Sequence, residues 1–158
     1  MITFKAKIIV IFIVAVLAIP VGFMALNKGG STRWLIWGET NASQGIAIKG
    51  YDVVAYHNAG KAVAGDQGIV MRYSDADWYF ATTENQQLFK AEPQRYAPSY
   101  GGYCATAISA GMTFDIDPAE FYVAGERLFL FFNSDARTEF VAKIEKGVID
   151  KADNYWRL

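Results

Sequence analysis

From Ile8 to Leu26 the chain runs nineteen residues, "IIVIFIVAVLAIPVGFMAL", without a charge. A helix rises about 1.5 Å per residue, so the run matches the roughly 30 Å hydrocarbon thickness of a bilayer. Residues 1–27 therefore read as a membrane anchor. Lys5, Lys7 and the α-amino group precede the run and favour a cytoplasmic N-terminus, a bias that Lys28 and Arg33 weaken. The rival reading is a cleaved signal peptide with its apolar region from Ile8 to Ile19, stopped at Pro20. Its cleavage site is poor, because bulky Phe23 stands two residues before Ala25 where a small residue is wanted. The anchored reading expects a protein of the inner (cytoplasmic) membrane. Both readings expect the remaining chain in the periplasm or at the cell exterior.

Residues 28–45 read as a linker. "NKGGSTR" is glycine-rich and polar, and Trp34 and Trp37 suit either the bilayer's interfacial region or a strap packed on the domain. Residues 46–158 then hold one domain. The whole chain of 158 residues is 53% hydrophobic and 20% charged, enough apolar material for a single core. A net charge of −1 with no Lys/Arg cluster removes the footprint that nucleic-acid binding needs. One cysteine excludes an internal disulfide and any zinc site built on several thiolates.

The pattern along the domain is α+β, with short antiparallel strands and a few short helices. "YDVVAYH", "GIVMRY" and "DWYFAT" are short and rich in β-branched or aromatic residues, so they read as strands, with "NAGKAVAGDQG" as a turn-rich connection. Thr83 with Gln86 three residues on resembles a capping box that opens a helix, which Pro93 ends or restarts. "CATAISAG" forms a short helix stopped by Gly111, and "EFYVAGERLFLFF" a hairpin turning at "AGER". Asn133 or Ser134 caps a helix on which Ala136, Phe140 and Ile144 share a face, and "DKADNYWRL" forms a last helix. The expected core holds Phe80, Phe89, Tyr96, Phe129, Phe131, Phe140 and Ile144.

Three separated segments carry a resemblance. In "WYFATTENQQLFKAEPQRY" the residues Tyr79, Phe80, Phe89, Pro93 and Tyr96 stand where the YHS domain has its aromatic, Phe, Pro and Tyr positions. "KGYDVVAY" and "YGGYCA" resemble the exported variant of that domain, over roughly residues 46–110. The resemblance implies a small scaffold acting as a binding or accessory module. Metal-handling members carry cysteines, which suit soft ions such as Cu(I) or Zn. Here the corresponding positions are Ala55, Ala81 and Asn85, none of which supplies a thiolate.

The candidate site residues are Tyr51, Asp52, Tyr100, Tyr103 and Cys104. Cys104 is either a small core side chain or a working thiol placed at the start of a helix near Ala105. With the lone His57, and Asp52 as a third ligand, it could hold copper or another transition-metal ion. The same pair could serve a thiol-based redox or hydrolytic enzyme, although no orienting group or oxyanion hole can be placed. No phosphate loop, GxSxG, HExxH or CxxC occurs. Asp52 reads equally as a carboxylate that accepts backbone N–H bonds in a turn. Gly101 and Gly102 are expected to let the backbone lie against the Tyr51–Asp52 segment. The partner, whether small molecule, metal or protein, stays open.

Overall fold

The computed structural model describes residues 38–157. The expected span over Ile8–Leu26, its cleavage, and Trp34 and Trp37 lie outside the described residues. Among those described, no helix is long and apolar enough to cross a membrane.

The fold is α+β. Strands β1 (Ala42–Ser43), β2 (Ile46–Ala47), β3 (Asp66–Tyr73) and β4 (Ala76–Phe80) form one sheet in the order β1-β2-β4-β3. β5 (Asp117–Ala124) and β6 (Arg127–Phe131) form a separate antiparallel hairpin. Six α-helices accompany them among the described residues: α1 (Val53–Asn58), α2 (Thr83–Ala91), α3 (Pro93–Tyr96), α4 (Ala105–Ser109), α5 (Ser134–Val141) and α6 (Val148–Arg157). The sheet is not purely antiparallel, because β2 meets β4 in parallel at Ile46 and Asp77. Residues 42–43, inside the segment read as linker, already form a strand against β2.

β4 shows the alternation of a half-buried strand, with Ala76, Trp78 and Phe80 inward. Ser74 and Asp75 both adopt positive φ, the geometry of a tight turn whose twist suits the β3–β4 hairpin. β6 is different: Leu128, Phe129, Leu130 and Phe131 are all fully buried, so this strand is covered on both faces. Its aromatic rings meet Phe140 of α5, with centroids 5.3 Å from Phe129 and 5.4 Å from Phe131.

"YDVVAYH" is a helix, not a strand. Val53, Val54, Ala55 and Tyr56 are buried in succession, which no alternating strand with one wet face allows. Asp52 opens the helix by accepting from the Val54 and Ala55 amides at 2.9 and 3.4 Å. A strong N-cap and complete burial outweigh the weak helix propensity of valine and tyrosine. The cap of α2 sits one residue earlier than the Thr83–Gln86 pairing predicts. Extended Thr82 accepts from Asn85 N, while the Gln86 side-chain Nε2 donates to Val70 O of β3 at 2.8 Å. Asn133 is the cap of α5. Every member of the expected core is buried except Ile144, which is half-buried in a 3-10 turn after α5.

Candidate functional site

Two stretches of left-handed backbone face each other. Ile48, Lys49 and Gly50 have φ of 49°, 55° and 78°; Tyr100, Gly101 and Gly102 have 59°, 61° and 82°. A β-branched isoleucine in that region is a strained conformer, of the kind that costs about 1–3 kcal/mol and persists only where its surroundings enforce it. The surroundings here are the second stretch. A β-carbon on Gly102 would sit 2.1 Å from Ile48 Cδ1, and one on Gly101 would sit 1.9 Å from the carbonyl oxygen of Glu39. The two glycines thus admit Ile48 and the segment leading into β1. The expectation that they lie against Tyr51 and Asp52 is corrected.

Beside this junction opens a cleft of about 350 Å³, walled by Asn41, Ala42, Ser43, Lys49, Tyr103, Thr113, Phe114 and Asp115. The Lys49 ammonium lies 2.9 Å from Asp115 Oδ2 and donates to Ile116 O at 2.6 Å. Asp115 Oδ1 accepts from the Asn41 amide at 3.2 Å and from Ile116 N at 2.8 Å. Burial pushes the Asp115 carboxyl up, but the hydrogen bonds from Lys49, Ile116 and Asn41 outweigh it and hold the group below its ordinary range. Burial, with Asp115 nearby, raises the Tyr103 phenol, so it stays a neutral donor. Its hydroxyl donates to Thr40 O at 3.4 Å. Lys49 heads the segment "KGYDVVAY" without being singled out there, and Asn41 and Asp115 stand in no motif.

The other expected site residues are distributed elsewhere. Asp52 is fully buried and accepts four hydrogen bonds from neutral donors. Two come from the cap of α1, one from Ala81 N at 2.8 Å and one from Asn85 Nδ2 at 2.6 Å. Three of these donors are Ala55, Ala81 and Asn85, the residues noted above as supplying no thiolate. They converge, but on a carboxylate already satisfied. Tyr51 is half-buried, bridges to Ala64 and packs against the core. Tyr100 is a buried latch: its hydroxyl donates to Asp153 of α6 at 2.9 Å, and Arg127 clamps the same carboxylate at 2.7 and 3.0 Å.

Cys104 is 2% exposed, within the same apolar cluster as Val53, Val54, Tyr56 and Leu130. It stands at the N-cap of α4, yet its side chain caps nothing, and its amide bonds to Phe114 O. This is the setting of a small core side chain. His57 lies on α1 with its ring edge-on to Tyr96, centroids 5.5 Å apart. Its Nε2 is buried without a hydrogen-bond partner. Burial, then the Arg95 guanidinium, lower its pKa, against smaller opposing effects of Glu126 and the Tyr96 backbone. Among the described residues no three His, Cys, Asp or Glu side chains gather to hold a metal ion, so the set Cys104, His57 and Asp52 is not assembled.

The chain matches no family model, no curated protein and no solved structure.

Proposed function

We propose that this chain is a binding module of the inner membrane, tethered by residues 8–26 with its domain on the periplasmic or outer side. It holds a small dipolar molecule in the cleft between Lys49 and Asp115. The scaffold is that of an exported YHS-like accessory domain, a reading supported by "KGYDVVAY" and "YGGYCA" in their order along the chain.

The observation that carries the reading is the Lys49–Asp115 pair in the wall of the cleft, with Lys49 on strained backbone. Backbone strain gathers where a site must be held in a fixed shape. The two side chains are 41% and 57% exposed, and an ion pair so exposed is worth only about 0–1 kcal/mol. A ligand that brings its own carboxylate and ammonium can therefore replace the pair at little cost, with Asn41 and Tyr103 lining the same cleft. Free amino acids and peptide ends have that chemistry.

Titration of the protein with amino acids, simple carboxylates and polyols, followed by NMR shifts, tests the reading. Saturable shifts at Lys49, Tyr103 and Asp115 that vanish in Lys49→Ala support it. Absence of saturation across the panel, or binding indifferent to Lys49→Ala and Asp115→Ala, overturns it.

A further inference from the structure

Five large apolar side chains are exposed among the described residues: Val70, Met112, Phe114, Phe132 and Tyr155. Two of them, Phe114 and Phe132, adjoin, and Met112 and Tyr155 both neighbour Gly111, three residues before Phe114. Phe114 and Phe132 are in ring contact, centroids 6.3 Å apart, at 52% and 55% exposure. Met112, 51% exposed, lies two residues before Phe114. The Tyr155 ring of α6 extends the row, since it covers Gly111, with ring carbons 3.3 and 3.4 Å from where a β-carbon would stand. Large side chains of this kind spread singly over a surface need no explanation, whereas a contiguous group marks a contact surface.

The position of the group decides its occupant. Phe114 forms a wall of the cleft together with Asn41, Ala42 and Ser43, and Asn41 is bonded to Asp115. Gly38, the first described residue, is three residues from Asn41 and so within about 10 Å of it along the chain. The apolar face therefore flanks the point where the chain arrives from residues 8–26. Only residues 27–37 intervene, and even fully extended they reach no more than about 40 Å. A domain of this size has a radius of gyration of about 14 Å. Tethering at that distance keeps the face at a high effective concentration against the bilayer, so even weak insertion is sustained.

We propose that Met112, Phe114, Phe132 and Tyr155 form a membrane-contacting surface that enters the boundary between lipid headgroups and acyl chains. The proposal rests on the reading of residues 8–26 as a span. Aromatic and methionine side chains suit this boundary, because their apolar bodies leave water while the backbone that carries them stays at headgroup depth. Docking in this way turns the domain so that the neighbouring cleft opens close to the bilayer surface.

The full chain reconstituted in vesicles of phosphatidylcholine and phosphatidylglycerol tests this. Phe114→Cys, Phe132→Cys and, as an exposed control outside the group, Lys61→Cys are labelled with an environment-sensitive fluorophore. The buried Cys104 of the parent chain gives the background. Nitroxide-bearing lipids are then added, and an alkaline wash reports separately whether residues 8–26 are inserted. Quenching at positions 114 and 132 several-fold above that at 61, in protein that survives the wash, is the expected result. Equal quenching at all three positions in wash-resistant protein overturns the surface but leaves the anchor standing. Protein stripped by the wash overturns the anchor and the proposal with it. Emission shifts at 114 and 132 that follow protein density and ignore the nitroxide overturn it in favour of a second copy of the chain.

Discussion

The Asn85 side-chain amide lies 2.6 Å from Oδ2 of Asp52, a fully buried carboxylate. With Ala81 N on the same oxygen and the α1 cap on the other, Asp52 joins α1, the end of β4 and α2 through one group. Asp52→Ala strands those donors in the core and removes the helix cap. A loss of about 2–5 kcal/mol is expected, from hydrogen bonds to a charged group and a missing N-cap. Denaturant unfolding measures it. A loss under about 1 kcal/mol would mean that water replaces the carboxylate.

Gly101→Ala tests the close approach of the chain to Glu39. The new β-carbon would meet the Glu39 carbonyl oxygen at 1.9 Å, on a residue with φ of +61°. The positive φ alone costs about 1–2 kcal/mol, and the clash with backbone, which no rotamer relieves, brings the expected loss to about 2–4 kcal/mol. The Asn41 amide, which donates to Gly101 O, should lose hydrogen-exchange protection well before amides of β6 do. Unchanged protection at Asn41 would contradict this.

Phe89 and Phe140 anchor two aromatic groups. Phe89 meets Tyr73, Trp78 and Phe80 at centroid distances of 5.4, 5.3 and 5.3 Å, and Phe140 meets Phe129 and Phe131. Each truncation to alanine should cost about 3–5 kcal/mol in chemical unfolding. A value below about 1 kcal/mol would show that the neighbouring rings collapse into the space.

His57 is the sole histidine, so its pH window is clean. The folded chain holds its imidazolium less readily than the unfolded chain does, mainly through burial and then Arg95. Below about pH 6.5 the unfolded state takes up a proton that the folded state rejects, so stability falls as pH falls from there through the lowered pKa. Unfolding midpoints between about pH 7 and 5.5 should decline in the parent chain and stay flatter in His57→Gln. Parallel profiles for the two would show that the imidazole is not excluded from protonation.

Local signals carried most of the secondary structure. The hairpin around "AGER", the short helix before Gly111 and the helix capped at Asn133 each follow from neighbouring residues, and all three are present. So does the aromatic core, since apolar spacing places Phe80, Phe89, Phe129, Phe131 and Phe140 inward. The segment after Asp52 misleads because valine and tyrosine favour strands intrinsically, and the four donors that make Asp52 a strong cap come partly from residues 81 and 85. Propensity is worth tenths of a kcal/mol per residue, whereas burial of Val53, Val54 and Tyr56 is worth several in total.

What the sequence determined by itself is the apolar run at residues 8–26, enough apolar material for a core and the lack of a second cysteine for any multi-thiolate site, because charge, length and cysteine count need no partner to be read. The candidate cleft was decided only by the tertiary structure. Asn41, Lys49, Tyr103 and Asp115 span 74 positions of chain, and only Lys49 and Tyr103 stand in the quoted segments. They meet because Gly101 and Gly102, lacking β-carbons, let one left-handed stretch close on another, and that contact exists only once both have folded.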